Sequence, residues 1–347
     1  MVATFECSFL VWKLTGSMNT ARFYHTTSTL GNGDVLVAGG TSGAGVLSSV
    51  EVYDPSTGLW TTIEPMSTGR FYHTASILTN GNVLVVGGWE RDRGISNTAE
   101  VYNPSTGFGI TTEPMNTARV HHTASILTNG NVLVAGGTAD DLIALSSAEV
   151  YNPSTGLWTT TNAMSTGRKY HTATILPNGN VLVAGGLSKL GPLNTAEVYN
   201  PSTELWTITD YMSHERYDHG ASILTNGNVF VVGGTADGRN QLSSAEVYNS
   251  FTGLWILAQA MNTARTRHTQ VTLGNGNVLV AGGLFGTSSA LNSSEVYNPF
   301  TGLWTTTNAM STLRFYHTAS ILTNGNALVA GGWGIARFAL SSAEVYE

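Results

Sequence analysis

Residues 70–111 read RFYHTASILTNGNVLVVGGWERDRGISNTAEVYNPSTGFGIT. His73 to Leu78 (HTASIL) alternates with the period of two expected of a strand covered on one face. Asn80-Gly81 is a hairpin signal of the I′ type, which needs positive φ at both central residues, and Val83 to Val86 is an apolar second strand ending at Gly87-Gly88. A polar, glycine-containing loop leads to a third strand, Ala99 to Tyr102. Asn103-Pro104-Ser105-Thr106-Gly107 then supplies a turn before a fourth strand beginning near Phe108. These four strands are named a to d.

The unit recurs throughout the chain. Gly-Gly begins at Gly39, Gly87, Gly136, Gly185, Gly233, Gly282 and Gly331, a period of 48 or 49 residues. Arg-x-x-His keeps the same period from Arg22, Arg70, Arg119, Arg168, Arg216, Arg265 and Arg314, as does Glu-Val-Tyr from Glu51, Glu100, Glu149, Glu197, Glu246, Glu295 and Glu344. No stretch has helical spacing, so the chain is expected to be all-β. A tryptophan opens strand d at Trp60, Trp158, Trp206, Trp255 and Trp304, with Phe108 taken as its substitute in repeat two.

Four-stranded units at this period, carrying Gly-Gly, a tyrosine and a spaced tryptophan, resemble the kelch repeat over the whole chain. The resemblance implies a seven-bladed β-propeller, one domain over residues 1–347, with repeats beginning near 18, 66, 115, 164, 212, 261 and 310. The last copy ends at Glu347 without a fourth strand, whereas Trp12 precedes Met18 by the same six residues that separate Trp60 from Met66. Residues 1–17, with Phe9 to Leu14 as the strand, are therefore expected to supply strand d of the last blade and remove the sheet edges of an open ring.

Composition narrows the function. Charged residues make up only 11% of the chain and the net charge of -7 is spread without acidic or basic runs, so neither nucleic acid nor a membrane surface is an expected partner. Cys7 is the single cysteine, which rules out an internal disulfide and any multi-cysteine metal site. The N-terminal segment has no basic start and carries Glu6, and Asn292 is the one Asn-x-Ser sequon, so localisation stays open.

A residue present in all seven copies serves packing before it serves one site. The repeated Arg, His, Glu and Tyr are expected to form an inter-blade hydrogen-bond and ion-pair network; a metal-binding ring of the seven histidines is the sharper alternative. Six spacings from Glu-Val-Tyr to the next Gly-Gly are all 36 residues, so length variation is confined to the b–c loops. In a four-stranded blade these loops share a face with the d–a connections. The candidate binding face comprises Trp89, Arg91, Arg93, Asp140, Asp141, Lys189, Arg239, Phe285, Trp333, Arg337 and Phe338 from the b–c loops, with Tyr24, Tyr72, Tyr170 and Tyr316 from the d–a connections. Glu90, His121, Asp218 and Arg267 lie on the same segments.

The resemblance implies a non-catalytic, monomeric scaffold presenting this face to a protein or peptide. The alternative is a carbohydrate or small-ligand binder using the aromatic rim or the central channel. An enzyme is the third reading. The galactose-oxidase family is similar in fold, but its radical copper site needs a cysteine joined to a tyrosine, and Cys7 lies in the N-terminal closing segment. No phosphate loop, zinc motif or serine elbow is present, so no cofactor or metal is expected.

Overall fold

The computed structural model describes residues 11–335 and 338–347. Cys7, the first residues of the expected closing strand and the candidate Arg337 lie outside the described residues.

Each repeat forms a four-stranded antiparallel sheet, seven such sheets among the described residues. Repeat two consists of Thr74–Ile77, Val83–Val86, Ala99–Asn103 and Phe108–Thr111. Repeat seven is built from Thr318–Ile321, Ala327–Ala330 and Ala343–Tyr346. Its fourth strand is Trp12–Leu14, in the register Trp12↔Tyr346, Lys13↔Val345 and Leu14↔Glu344.

Strand b is apolar throughout because both of its faces are covered. Val35 and Val37 pack on Leu328 and Ala330 of repeat seven, while Leu36 and Ala38 pack on Val83 and Val85 of repeat two. The core thus lies between neighbouring sheets, each buried aliphatic side chain there contributing about 1.5–3 kcal/mol. Strand a is innermost, and the strands a of successive repeats touch, as do those of repeats seven and one.

Two local readings change. Asn80 does not adopt positive φ; only Gly81 does, at 82°. Leu78 O accepts the Gly81 N–H at 2.9 Å and Leu78 N–H donates to Asn82 O at 2.7 Å, a type I turn closed by a glycine bulge rather than a I′ turn. Asn80 acts through its side chain, Oδ1 accepting the Asn82 N–H at 3.1 Å. The tryptophan position of repeat two is Gly109, not Phe108: Tyr102 pairs with Gly109 as Tyr53 pairs with Trp60. Phe108 points outward and is 65% exposed. Trp60 Nε1 donates to Gly16 O across the inter-sheet seam; in repeat two the Tyr102 hydroxyl donates to Glu64 O instead, at 2.8 Å.

The seven arginines are fully buried. Arg22 donates from Nη1 to Gly39 O (2.8 Å) and Ser49 O (3.0 Å), and from Nη2 to Glu51 Oε1 (2.6 Å). Glu51 also accepts the backbone N–H groups of Asn19 and Thr20. All of these contacts are within one repeat. The arginine's backbone works across the seam: Gly40 N–H donates to Arg70 O and Gly332 N–H to Arg22 O, both at 2.8 Å. Here the Gly-Gly pair is required twice over. Gly39 and Gly40 have φ of 63° and 92°, and a Cβ on Gly39 would stand 2.6 Å from Arg70 O.

Histidine and tyrosine are the inter-repeat members of the network. His73 Nε2 pairs with Thr26 Oγ1 at 2.9 Å and His171 with Thr123 at 3.0 Å. His268 meets Gly220 where the others meet threonine, and its Nε2 has no partner among the described residues. Six of the seven histidines are therefore spent on threonine hydroxyls. Among the described residues no group of three or more His, Cys, Asp or Glu is placed to hold a metal ion.

Removing residues 1–14 strips repeat seven of its outer strand, and the truncated protein is expected to melt well below the full chain; an unchanged Tm would contradict this. Burial, reinforced by the adjacent arginines, drives His73, His171 and His268 to a pKa of about 3, and His25, His122, His219 and His317 well below the ordinary value. The unfolded chain takes up these protons below about pH 6.5, so their contribution is intact above that pH and is lost as pH falls toward 3. At about 1.4 kcal/mol per histidine per pH unit, seven of them would exhaust a typical stability of about 5–15 kcal/mol within about two units. Cooperative unfolding near pH 5, followed by tryptophan fluorescence, is the expected outcome, and a flat profile from pH 7 to 4 would refute it.

Candidate functional site

In every repeat the residue after the arginine bridges to the residue after Gly-Gly. Phe23 bridges to Thr41, Val120 to Thr138, Tyr217 to Thr235 and Phe315 to Trp333, and the remaining repeats pair in the same way. The d–a connections and b–c loops therefore lie together on one face.

The next residue along turns inward. Tyr24, Tyr72, His121, Tyr170, Asp218, Arg267 and Tyr316 all have φ between 53° and 57° and account for seven of the nine non-glycine residues at positive φ among the described residues. Such backbone costs on the order of 1–3 kcal/mol per residue and persists where surrounding structure imposes it. These residues meet in a ring. Ring centroids stand 4.1 Å apart for Tyr24–Tyr72, 4.0 Å for Tyr72–His121, 4.1 Å for His121–Tyr170 and 4.2 Å for Tyr316–Tyr24. Asp218 N–H donates to Tyr170 O at 3.2 Å, Arg267 Nε donates to Asp218 Oδ2 at 3.0 Å, and the Arg267 guanidinium lies 4.8 Å from the Tyr316 ring centroid. Beyond the ring, strand a side chains such as Thr27, Ala75, Ala124 and Ala173 line a channel of about 630 Å³.

Electrostatics separate one sector from the others. Burial pushes the Tyr170 hydroxyl up to about 12 and those of Tyr24, Tyr72 and Tyr316 higher still, so all four remain neutral donors. Burial drives His121 down to about 3, with Lys169 and Arg267 adding to it. Burial raises the Asp218 carboxyl while Arg267 opposes the shift. The Asp218–Arg267 pair is the ring's single charged pair.

Beside Arg267 a cleft of about 770 Å³ opens between repeats six and seven. Tyr24, Phe315, Tyr316 and Trp333 form its aromatic side, and Thr287, Ser288 and Ser289 of the repeat-six b–c loop contribute hydroxyl-bearing side chains. Trp333 is held between Phe23 at 4.3 Å and Phe315 at 6.0 Å, the latter pair stacked at 5°.

Of the predicted face, the structure thus gathers Tyr24, Tyr72, Tyr170 and Tyr316 at the ring and places Trp333 in the cleft. Trp89 packs 6.3 Å from Phe71 in repeat two. Arg91, Arg93, Lys189 and Arg239 are exposed around the rim, and Phe285 and Phe338 are 50% and 71% exposed. Asp140 serves its own loop, Oδ1 accepting the N–H groups of Leu142 and Ile143 at 2.9 and 2.7 Å, and the Asp141 carbonyl accepts from Lys169 Nζ. Asp218 and Arg267, expected on the d–a segments of this face, meet as a pair within the ring; the Thr287–Ser289 hydroxyls of the cleft were not anticipated. The residue before histidine runs Tyr, Tyr, His, Tyr, Asp, Arg, Tyr across the repeats, so the pair marks two adjacent departures from the common tyrosine. On the opposite face, Phe251 and Phe300 replace the turn serine and are each 97% exposed, so that side is less uniform than expected.

Four-stranded sheets packed face to face, clamped by buried Arg–Glu pairs and Gly-Gly turns, define the class. The sequence matches the family described as "Kelch motif" over residues 22–67, 70–107, 119–165 and 168–213, and the chain belongs to that family. Among solved structures, a fungal alcohol oxidase of the AA5 family in complex with copper is 17% identical, with a TM-score of 0.79 over 98% of this chain and 76% of that one. YjhT is 16% identical, with a TM-score of 0.65 over 84% of this chain and 99% of that one. Both likenesses are of fold. No curated protein matches the sequence significantly.

Glu90, expected on the loop face, is instead fully buried. It stands 3.5 Å from Arg70 Nη2, which lies 3.7 Å from Glu100, whereas the other six arginines approach their glutamates to 2.6–2.9 Å. Glu90 Oε2 and Glu100 Oε1 accept no hydrogen bond among the described residues. Glu90→Gln removes one of two buried carboxylates sharing a single guanidinium and is expected to stabilise by about 1 kcal/mol. A lower urea midpoint for the variant would contradict this.

Proposed function

We propose that the chain is a closed seven-bladed kelch propeller acting as a non-catalytic binding scaffold, with the b–c/d–a face presented to a protein or peptide. The observation that carries this is the concentration of symmetry breaking on that face: the Asp218–Arg267 pair interrupts an aromatic ring, and a cleft opens beside it. Elsewhere the titratable core side chains hold repeats together, and the ring's one acid and its one arginine are joined to each other. Aromatic and arginine side chains around a concavity are the usual anchors of recognition. The closed ring is supported by the Trp12–Leu14 pairing and by the core shared between repeats one and seven.

A second reading, binding of a carbohydrate or other small ligand, is favoured by the cleft itself. Its volume falls in the ordinary range for small-molecule sites, and its aromatic side offers faces for stacking.

Trp89→Ala and Trp333→Ala, tested separately by affinity capture against the unaltered protein, are expected to weaken retention of partners while leaving Tm within a few degrees. Partners retained equally by both variants would remove the face from consideration.

A further inference from the structure

The guanidinium of Arg267 is oriented more completely than a surface arginine would be. Its Nε is tied to Asp218 Oδ2 at 3.0 Å, and its Cζ lies over the Tyr316 ring, 4.8 Å from the centroid. Its terminal nitrogens donate to no described residue, and the side chain is 36% exposed where it lines the cleft. Two fixed, unused N–H edges at the inner end of a concavity form a fork suited to the two oxygens of a carboxylate. No other ring position carries a cation: the equivalents are four tyrosines, a histidine held neutral by burial, and Asp218. The local positive charge is thus a single feature of the ring.

The rest of the cleft says what the carboxylate is attached to. Phe315, Tyr316 and Trp333 offer apolar faces, which suit C–H groups rather than a second charge. Thr287, Ser288 and Ser289 offer neutral hydroxyls, which suit hydroxyl or amide groups. Among the described lining residues there is no further charged side chain.

We propose that the cleft between repeats six and seven is a carboxylate-binding site. One carboxylate of the ligand is held two-pronged by the terminal nitrogens of Arg267, and the ligand's neutral body lies between the aromatic wall and the Thr287–Ser289 loop. It draws on the binding-scaffold reading only for the face involved. Two sources carry this chemistry, an acidic monosaccharide or an acidic side chain of a peptide, and the experiment separates them.

Isothermal titration of the full chain is performed with D-glucuronate against D-glucose in one arm. In the other, a neutral-bodied hexapeptide with one central glutamate is compared with its glutamine counterpart. The acid member of at least one pair is expected to bind at least tenfold more tightly than its neutral counterpart. That preference is expected to vanish in the double variant Asp218→Asn/Arg267→Gln, which removes both charges together and leaves no carboxylate buried alone. Arg267→Lys keeps the charge but loses the fork and is expected to weaken acid binding too, so the inference remains decidable if the double variant does not fold. Equal affinity for acid and neutral members would overturn it. So would an acid preference surviving in the folded double variant, an undiminished one in Arg267→Lys, or no binding of either acid at millimolar concentration. Binding confined to the sugar arm supports the carboxylate site while counting against a peptide partner; loss of partner capture in Trp333→Ala with no acid preference in either arm leaves the scaffold reading and removes this one.

Discussion

A buried arginine that serves two sheets at once is the constraint on which the rest of the molecule depends. Its guanidinium closes its own repeat by binding the Gly-Gly carbonyl, the strand c approach and the glutamate of Glu-Val-Tyr, as Arg22 does with Gly39, Ser49 and Glu51. Its backbone carbonyl accepts from the preceding repeat's second glycine. Burying that charge costs several kcal/mol before the pair and its hydrogen bonds repay it. A half-formed clamp is therefore worse than none, and each repeat depends on the turn of its neighbour being in place.

The same clamp positions the b–c/d–a face. In Arg22-Phe23-Tyr24-His25, four successive residues take four directions. Arg22 goes into its own sheet, Phe23 bridges to the b–c loop, Tyr24 turns to the axis through a left-handed backbone, and His25 reaches Thr318 of the preceding sheet. Arg216 and Arg265 do for Asp218 and Arg267 what Arg22 does for Tyr24. The ring is thus an inherited position, and only the side chain placed there varies. A cavity between two b–c loops then arises where the ring and the loop composition change together, as at Arg267 and Thr287–Ser289.

Much of the fold was legible because period, turn residues and apolar alternation agree in every copy; even the pairing of Trp12–Leu14 with Ala343–Tyr346 followed from a six-residue spacing. What escaped were choices between two local uses of one residue. Asn80 could supply positive φ or a side-chain acceptor, and the type I turn with its glycine bulge uses the second. Phe108 is aromatic, but strand alternation puts Gly109 on the covered face. Glu90 is charged and in a loop, yet Arg70 draws it inside. The tyrosines of the candidate face were found as rim aromatics, although their convergence on the axis depends on a backbone conformation that residue type alone does not announce. Arg267 and Asp218 were legible as departures from the repeat on the d–a segments, but their pairing depends on the same backbone turn that brings adjacent ring positions together.

The ring has one more property. A lid of seven identical tyrosines would present the same surface at every seventh of a rotation, and any asymmetric guest could settle on it in seven indistinguishable poses. Replacing two adjacent members by an acid and a base gives the axis a compass point. On the proposed reading, a guest that met the guanidinium would be oriented by that single contact, and two side chains would give direction to recognition by a nearly symmetric molecule.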